Sequence, residues 1–101
     1  MQLHKLIKHY RKTKKITQTD IAKRLDVTQA YISAVESGDA HASVSQLKKV
    51  IEGLGGTLLI QLENQGLTPQ ARLFIETAPN TPSEMIKIAK AFNTNIIFKI
   101  K

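Results

Sequence analysis

"TQTDIAKRLDVTQAYISAVESG", residues 17–38, reads as two short amphipathic helices with almost nothing between them. Thr17 can cap the first, with Asp20 three residues on as its capping-box partner. Ile21, Ala22 and Leu25 then form its buried stripe, and Asp26 breaks the pattern. Thr28 caps the second, which buries Ile32 and Val35 and stops at Gly38, in the left-handed conformation that favours glycine. So tight a turn needs one residue able to take positive φ and one small enough to let the helices cross closely. Asp26 and Ala22 meet these needs, because aspartate visits the left-handed region more readily than other non-glycine residues.

On the N-terminal side, Leu3, Leu6, Ile7 and Tyr10 repeat at i, i+3, i+4, i+7 and predict a helix over 2–14. On the C-terminal side, "DAHA" at 39–42 is a loop. Ser43 caps a fourth helix, with Gln46 at the capping-box position and Leu47, Val50, Ile51 and Leu54 inside. "GG" at 55 and 56 ends that helix, and "TLLIQLE", 57–63, is β-branched and apolar enough to be a strand.

The exposed row on the third helix is Gln29, Ala30, Ser33 and Ala34, small and uncharged in a chain whose net charge is +7. Lys5, Lys8, Arg11, Lys12, Lys14 and Lys15 fall within the first fifteen residues with no acid among them. Such clustering suits a polyanionic partner, although a run of lysines is also what a solvated helix face looks like.

Residues 3–54 resemble the helix-turn-helix domain of the Xre family, to which the lambdoid phage repressors and many antitoxins belong. The resemblance is carried by Gln18, "IA" at 21 and 22, Leu25, "VTQ" at 27–29, Ile32 and the Glu36, Ser37, Gly38 ending, with Asp26 as the departure where glycine is usual. It implies a mostly α fold, a lambda-repressor-like bundle whose third helix enters the major groove of double-stranded DNA. Gln29 would then pair with adenine, Ala30 touch a thymine methyl, Ser33 donate or accept, and Tyr31 reach the groove wall or a phosphate. Gln18 and Thr28, at helix N-termini where free N–H groups favour an anion, would hold phosphates. Lys12, Lys14, Lys15, His41 and Ser43 are further phosphate candidates. Arg11, on the apolar side of the first helix, is expected to form a partly buried ion pair with Glu36, structural in role.

The chain divides into a DNA-binding domain at 1–56, a dimerisation strand at 57–63 and a helix-helix-strand extension at 64–101. In the extension, helices are predicted near 69–77 and 82–92 and a strand near 95–101, with Pro79 and Pro82 punctuating the gap. "LTPQARLFIET", 67–77, aligns with 27–37, and "SEMIKIAKAFNTNIIFKI", 83–100, aligns with 45–62. This is either an internal duplication or a chance match of two amphipathic segments. An isolated strand is not stable, so 57–63 needs a partner, either across a dimer two-fold, as in antitoxins of the HipB and HigA kind, or in 95–101 of the same chain. Leu59 and Ile97 are expected in the buried part of that small sheet, at a dimer interface.

With 101 residues and no cysteine, the chain makes one small domain with an appendage and offers no disulfide, thiol nucleophile or thiolate metal site. The three histidines, His4, His9 and His41, lack metal-ligand spacing, so neither metal nor cofactor is expected. No paired acids, nucleophile-plus-base set or phosphate loop argues for an enzyme. No run reaches membrane length and no secretory signal precedes the first charges, which makes the cytoplasm the expected compartment. The reading that follows is a homodimeric repressor on a palindromic operator, the antitoxin of a toxin–antitoxin pair that represses its own operon. A phage or restriction-modification regulator without a toxin, and an interaction module that has lost DNA binding, are the alternatives.

Overall fold

A computed structural model of the protein describes residues 2–39 and 41–101. Six helices and two strands follow in the order α1 (Leu3–Thr13), α2 (Gln18–Leu25), α3 (Gln29–Ser37), α4 (Val44–Gly53), β1 (Leu58–Leu62), α5 (Pro69–Thr77), α6 (Pro82–Ala91) and β2 (Ile96–Ile100). The expected elements are all present, to within a residue or two at their ends. Ala40, in the loop expected at 39–42, lies outside the described residues.

The helix starts are written locally. Thr17 Oγ1 accepts from Asp20 N–H at 3.0 Å while Asp20 reaches back to the Thr17 N–H, a reciprocal capping box. Ser43 and Gln46 repeat the arrangement at α4. Thr28, Thr68 and Thr81 cap α3, α5 and α6 through their hydroxyls. Between α2 and α3, Asp26 stands at φ 55° and ψ 47°, as the turn requires. Gly38 ends α3 at φ 83°.

The first four helices close over Ile7, Ile21, Ile32 and Ile51, none of which reaches solvent. The extension joins this core. Ile75, Met85, Ala89 and Phe98 are buried in the same apolar cluster, and the Val44 N–H at the start of α4 donates to the Asn80 carbonyl at 2.8 Å.

The two strands pair antiparallel within one chain, Leu58 opposite Ile100, Ile60 opposite Phe98 and Leu62 opposite Ile96. Alternation turns these six side chains toward the core, where Leu62 and Phe98 are buried. Leu59 and Ile97 therefore fall on the outer face, beside Lys99 and Gln61. Leu59 is half-buried and Ile97 is 41% exposed. Within the chain this corrects the expectation that both lie in the buried part of the sheet. "LLIQL" and "IIFKI" each carry one polar residue, Gln61 and Lys99, and both share the parity of Leu59 and Ile97, so the alternation itself marks 58, 60, 62 and 96, 98, 100 as the inner set. Packing against α1 agrees: Gly56, with no side chain, leaves the space in which Tyr10 and Ile100 approach. Among the described residues, no helix is long and apolar enough to cross a membrane.

Candidate nucleic-acid interface

The interface is built on a buried charge pair. Arg11 on α1 and Glu36 on α3 are 8% and 4% exposed. Arg11 Nε donates to Glu36 Oε2 at 2.6 Å and Nη2 to Oε1 at 3.0 Å, a bidentate fork. Nη1 donates to the Ile16 carbonyl at 2.8 Å, which ties the end of α1 to the start of α2. Burial pushes the Glu36 carboxyl pKa up, but hydrogen bonds from Arg11 and Gln18 and the charges of Arg11 and Lys8 outweigh it. The group is held below the ordinary carboxylate range. The expected ion pair is therefore present and more buried than anticipated.

From Glu36 a chain of amides runs outward. Gln18 Nε2 donates to Glu36 Oε1 at 3.0 Å. Gln18 Oε1 accepts from Gln29 Nε2 at 2.7 Å. The polarity of the chain follows from its inner end. An ionised carboxylate only accepts, so Gln18 must turn its NH₂ inward and its oxygen outward, and Gln29 must then donate to that oxygen. Gln29 keeps one N–H and its carbonyl oxygen free. That donor–acceptor pair is what adenine's N7 and N6 amino group require in the major groove.

Around Gln29, Ala30 and Ser33 are exposed, and Ala34 is half-buried. Tyr31 is half-buried and packs against the apolar cluster rather than standing free. α3 thus presents a narrow, uncharged face at its N-terminal end. Thr28 Oγ1 accepts from the Tyr31 N–H at 3.0 Å, which leaves the hydroxyl proton to donate elsewhere.

The phosphate candidates divide. The Gln18 side chain is engaged at both ends, so it positions Gln29, and its expected anion site falls to the uncapped backbone N–H groups of the first turn of α2. Ser43, half-buried, accepts the Gln46 N–H in the α4 cap and, like Thr28, keeps its hydroxyl proton to donate. His41 is exposed. Lys12, Lys14 and Lys15 are exposed where α1 gives way to α2, Lys14 Nζ lying 5.4 Å from the centre of the Tyr10 ring.

Sequence reasoning treated the Arg11–Glu36 pair and the glutamines separately and missed that they are one network. The available signal was the repeated "TQ" at 17–18 and 28–29, which places a glutamine at the first position of each of two helices meeting at a tight turn. Among the described residues, no group of His, Asp and Glu side chains is arranged to hold a metal ion.

A family model described as helix-turn-helix matches residues 7–60, which takes in the amide chain, the turn, α4 and part of β1. No curated protein and no solved structure matches the chain.

Proposed function

The chain belongs to the helix-turn-helix family of DNA-binding transcription regulators, and from that premise we propose that it is a dimeric, sequence-specific repressor, the antitoxin of a toxin–antitoxin pair that represses its own operon. Each chain sets α3 into one half of a palindromic operator, the half-sites lying about one helical turn apart. The observation that carries the DNA-reading part is the hydrogen-bonded run Arg11–Glu36–Gln18–Gln29. A glutamine held by a buried anchor enters the groove already oriented, and less side-chain entropy is lost when it meets a base. The uncharged face beside it lets the helix sit deep, while the basic α1 supplies phosphate attraction from its flank.

The antitoxin reading draws on the extension. Leu73 is 61% exposed and Phe74 51%, on a helix that forms no part of the DNA-reading turn. Paired exposed apolar side chains of this size suit a protein partner, and a toxin is the partner an autoregulating repressor of this build would hold.

Selection of bound sequences from a random duplex pool, with affinity measured against salt, tests the DNA reading. Enrichment of an inverted repeat and a specific complex well above the random-DNA background are expected. Binding with no sequence preference defeats it. Co-expression with the product of the adjacent reading frame tests the antitoxin role, and failure to form a complex or to neutralise a toxic product defeats that part alone.

A further inference from the structure

The extension repeats the DNA-binding domain's second half element for element. α3, α4 and β1 contain 9, 10 and 5 residues, and α5, α6 and β2 contain 9, 10 and 5. The match extends to individual hydrogen bonds. Thr28 caps α3 through the Tyr31 N–H, and Thr68 caps α5 through the Ala71 N–H. Ser43 and Gln46 open α4 as Thr81 and Glu84 open α6. At the far end, the Gly55 N–H donates to Glu52 and the Gly56 N–H to Ile51, while Asn93 donates to Lys90 and Thr94 to Ala89. Gly55 and Asn93, the equivalent stops, both take positive φ, 86° and 56°. Val35 and Ile75, Leu47 and Met85, and Ile51 and Ala89 are buried in both copies. The stops of α3 and α5 differ, Gly38 at φ 83° against Ala78 at φ −72°, but hydrophobic period alone does not make two unrelated segments agree in both caps and in the stop, backbone sign included, that leads into the strand.

The strand pairing has the symmetry of the repeat. Equivalent residues in the two strands are 58 and 96, 60 and 98, 62 and 100. Ile60 is paired with Phe98, its own equivalent, at the centre of the sheet. Leu58 faces Ile100 while Ile96, the equivalent of Leu58, faces Leu62, the equivalent of Ile100. Every pairing is therefore repeated with its roles exchanged, which is the signature of a self-complementary interface about a two-fold axis.

We propose that residues 67–101 are a second, in-chain copy of 27–63 that occupies the place a second molecule's β1 would take, so that the chain closes its own dimerisation edge. The partner this edge fits is another copy of β1, with Ile60 facing Ile60 across the axis, and β2 keeps it out. The second copy is no second DNA reader: Pro69, Leu73 and Phe74 stand where α3 has Gln29, Ser33 and Ala34. A closed chain shows one recognition helix, and two chains on an operator meet outside the β1–β2 contact. This inference does not depend on which DNA, if any, α3 reads.

The chain has no cysteine, so introduced thiols report cleanly. In full-length Gln61→Cys/Ile97→Cys, a short bis-maleimide joins the two facing positions on the outer face. The expected product has the mass of one chain over a wide range of protein concentration. Two-chain products that replace the one-chain product overturn the proposal. A second variant opens the edge: Ile97→Pro places a residue without an N–H in β2, and Gln61→Cys in that background reports on β1. Cross-linked pairs of chains should rise from background to the main product, since each Gln61 position then lies diagonal to the other chain's. If that variant keeps its helical circular dichroism and stays single-chain, the edge has no affinity for its own copy and the proposal fails. If it unfolds, the cross-link of the first variant decides.

Discussion

Gln29 Nε2 donates to Gln18 Oε1 at 2.7 Å, and through Gln18 it is fixed to the buried Glu36 carboxylate. Gln29→Ala should cost about 1–3 kcal/mol on the selected operator and leave random-DNA binding nearly unchanged. Gln18→Ala should give part of the same loss, although Gln18 need touch no base. Combined, the two should cost less than their sum, because Gln18 acts through Gln29. A double-mutant cycle on operator affinity reads this directly. Strict additivity would show that Gln18 contacts DNA independently.

The basic end of α1 calls for a salt experiment. Replacing Lys12, Lys14 and Lys15 with glutamine should flatten the slope of log K against log salt by roughly 0.9 for each phosphate left without its lysine, equally on operator and random DNA. An unchanged slope means that these lysines are solvated, as lysine runs often are.

Most helix boundaries were legible because their causes are local. Thr17 with Asp20, and Ser43 with Gln46, are capping pairs three residues apart, and Asp26 declares the turn by its own backbone preference. Arg11–Glu36 was reachable through family resemblance. The link from Glu36 to Gln18 spans 18 residues, and its second half, Gln18 to Gln29, spans 11, so no local pattern announces it. The inner face of the sheet is written in the alternation: Gln61 and Lys99 share the parity of Leu59 and Ile97, which turns 58, 60, 62 and 96, 98, 100 inward. The expectation for Leu59 and Ile97 weighed their own apolarity above that parity.

The buried pair makes a pH prediction. The Glu36 carboxyl is lowered from its ordinary 4.5, so the folded state binds its proton less readily than the unfolded chain does. Its contribution to stability is fully present above that value and is lost as pH falls through the lower, folded value. Thermal midpoints should therefore drop on acidification below about pH 4.5, and Glu36→Gln should flatten that part of the profile. At neutral pH the same substitution should cost about 3 kcal/mol, because Arg11 stays buried without its counter-charge. An Arg11→Met/Glu36→Met double variant should recover most of that loss if desolvation of the lone charge is its cause.

Asp26 holds φ 55° at the turn that sets α3 against α2. Asp26→Asn should be nearly neutral, since asparagine tolerates this region as well as aspartate does. Asp26→Val should cost about 1–2 kcal/mol or more, a β-branched residue being a poor fit to positive φ. Denaturant midpoints at constant m-value provide the check. Equal stability for the valine variant would mean that the turn relaxes out of the left-handed region.

Phe98 and Ile97 are neighbours in β2 with opposite surroundings: Phe98 is 8% exposed, and Ile97 41%. Phe98 faces the shared core opposite Ile60, so Phe98→Ala removes apolar surface and leaves a cavity between the sheet and the helices. A loss of about 3–5 kcal/mol is expected, most of the stability of a small domain. Ile97→Thr exchanges one β-branched residue for another on the outer face and should stay within about 0.5 kcal/mol. Chemical unfolding of both variants, with light scattering at several concentrations, separates two uses of that face. If Ile97→Thr is neutral and the apparent mass is unchanged, the outer face is solvated. If Ile97→Thr destabilises the protein in a concentration-dependent way, the outer face is where two chains meet on the operator.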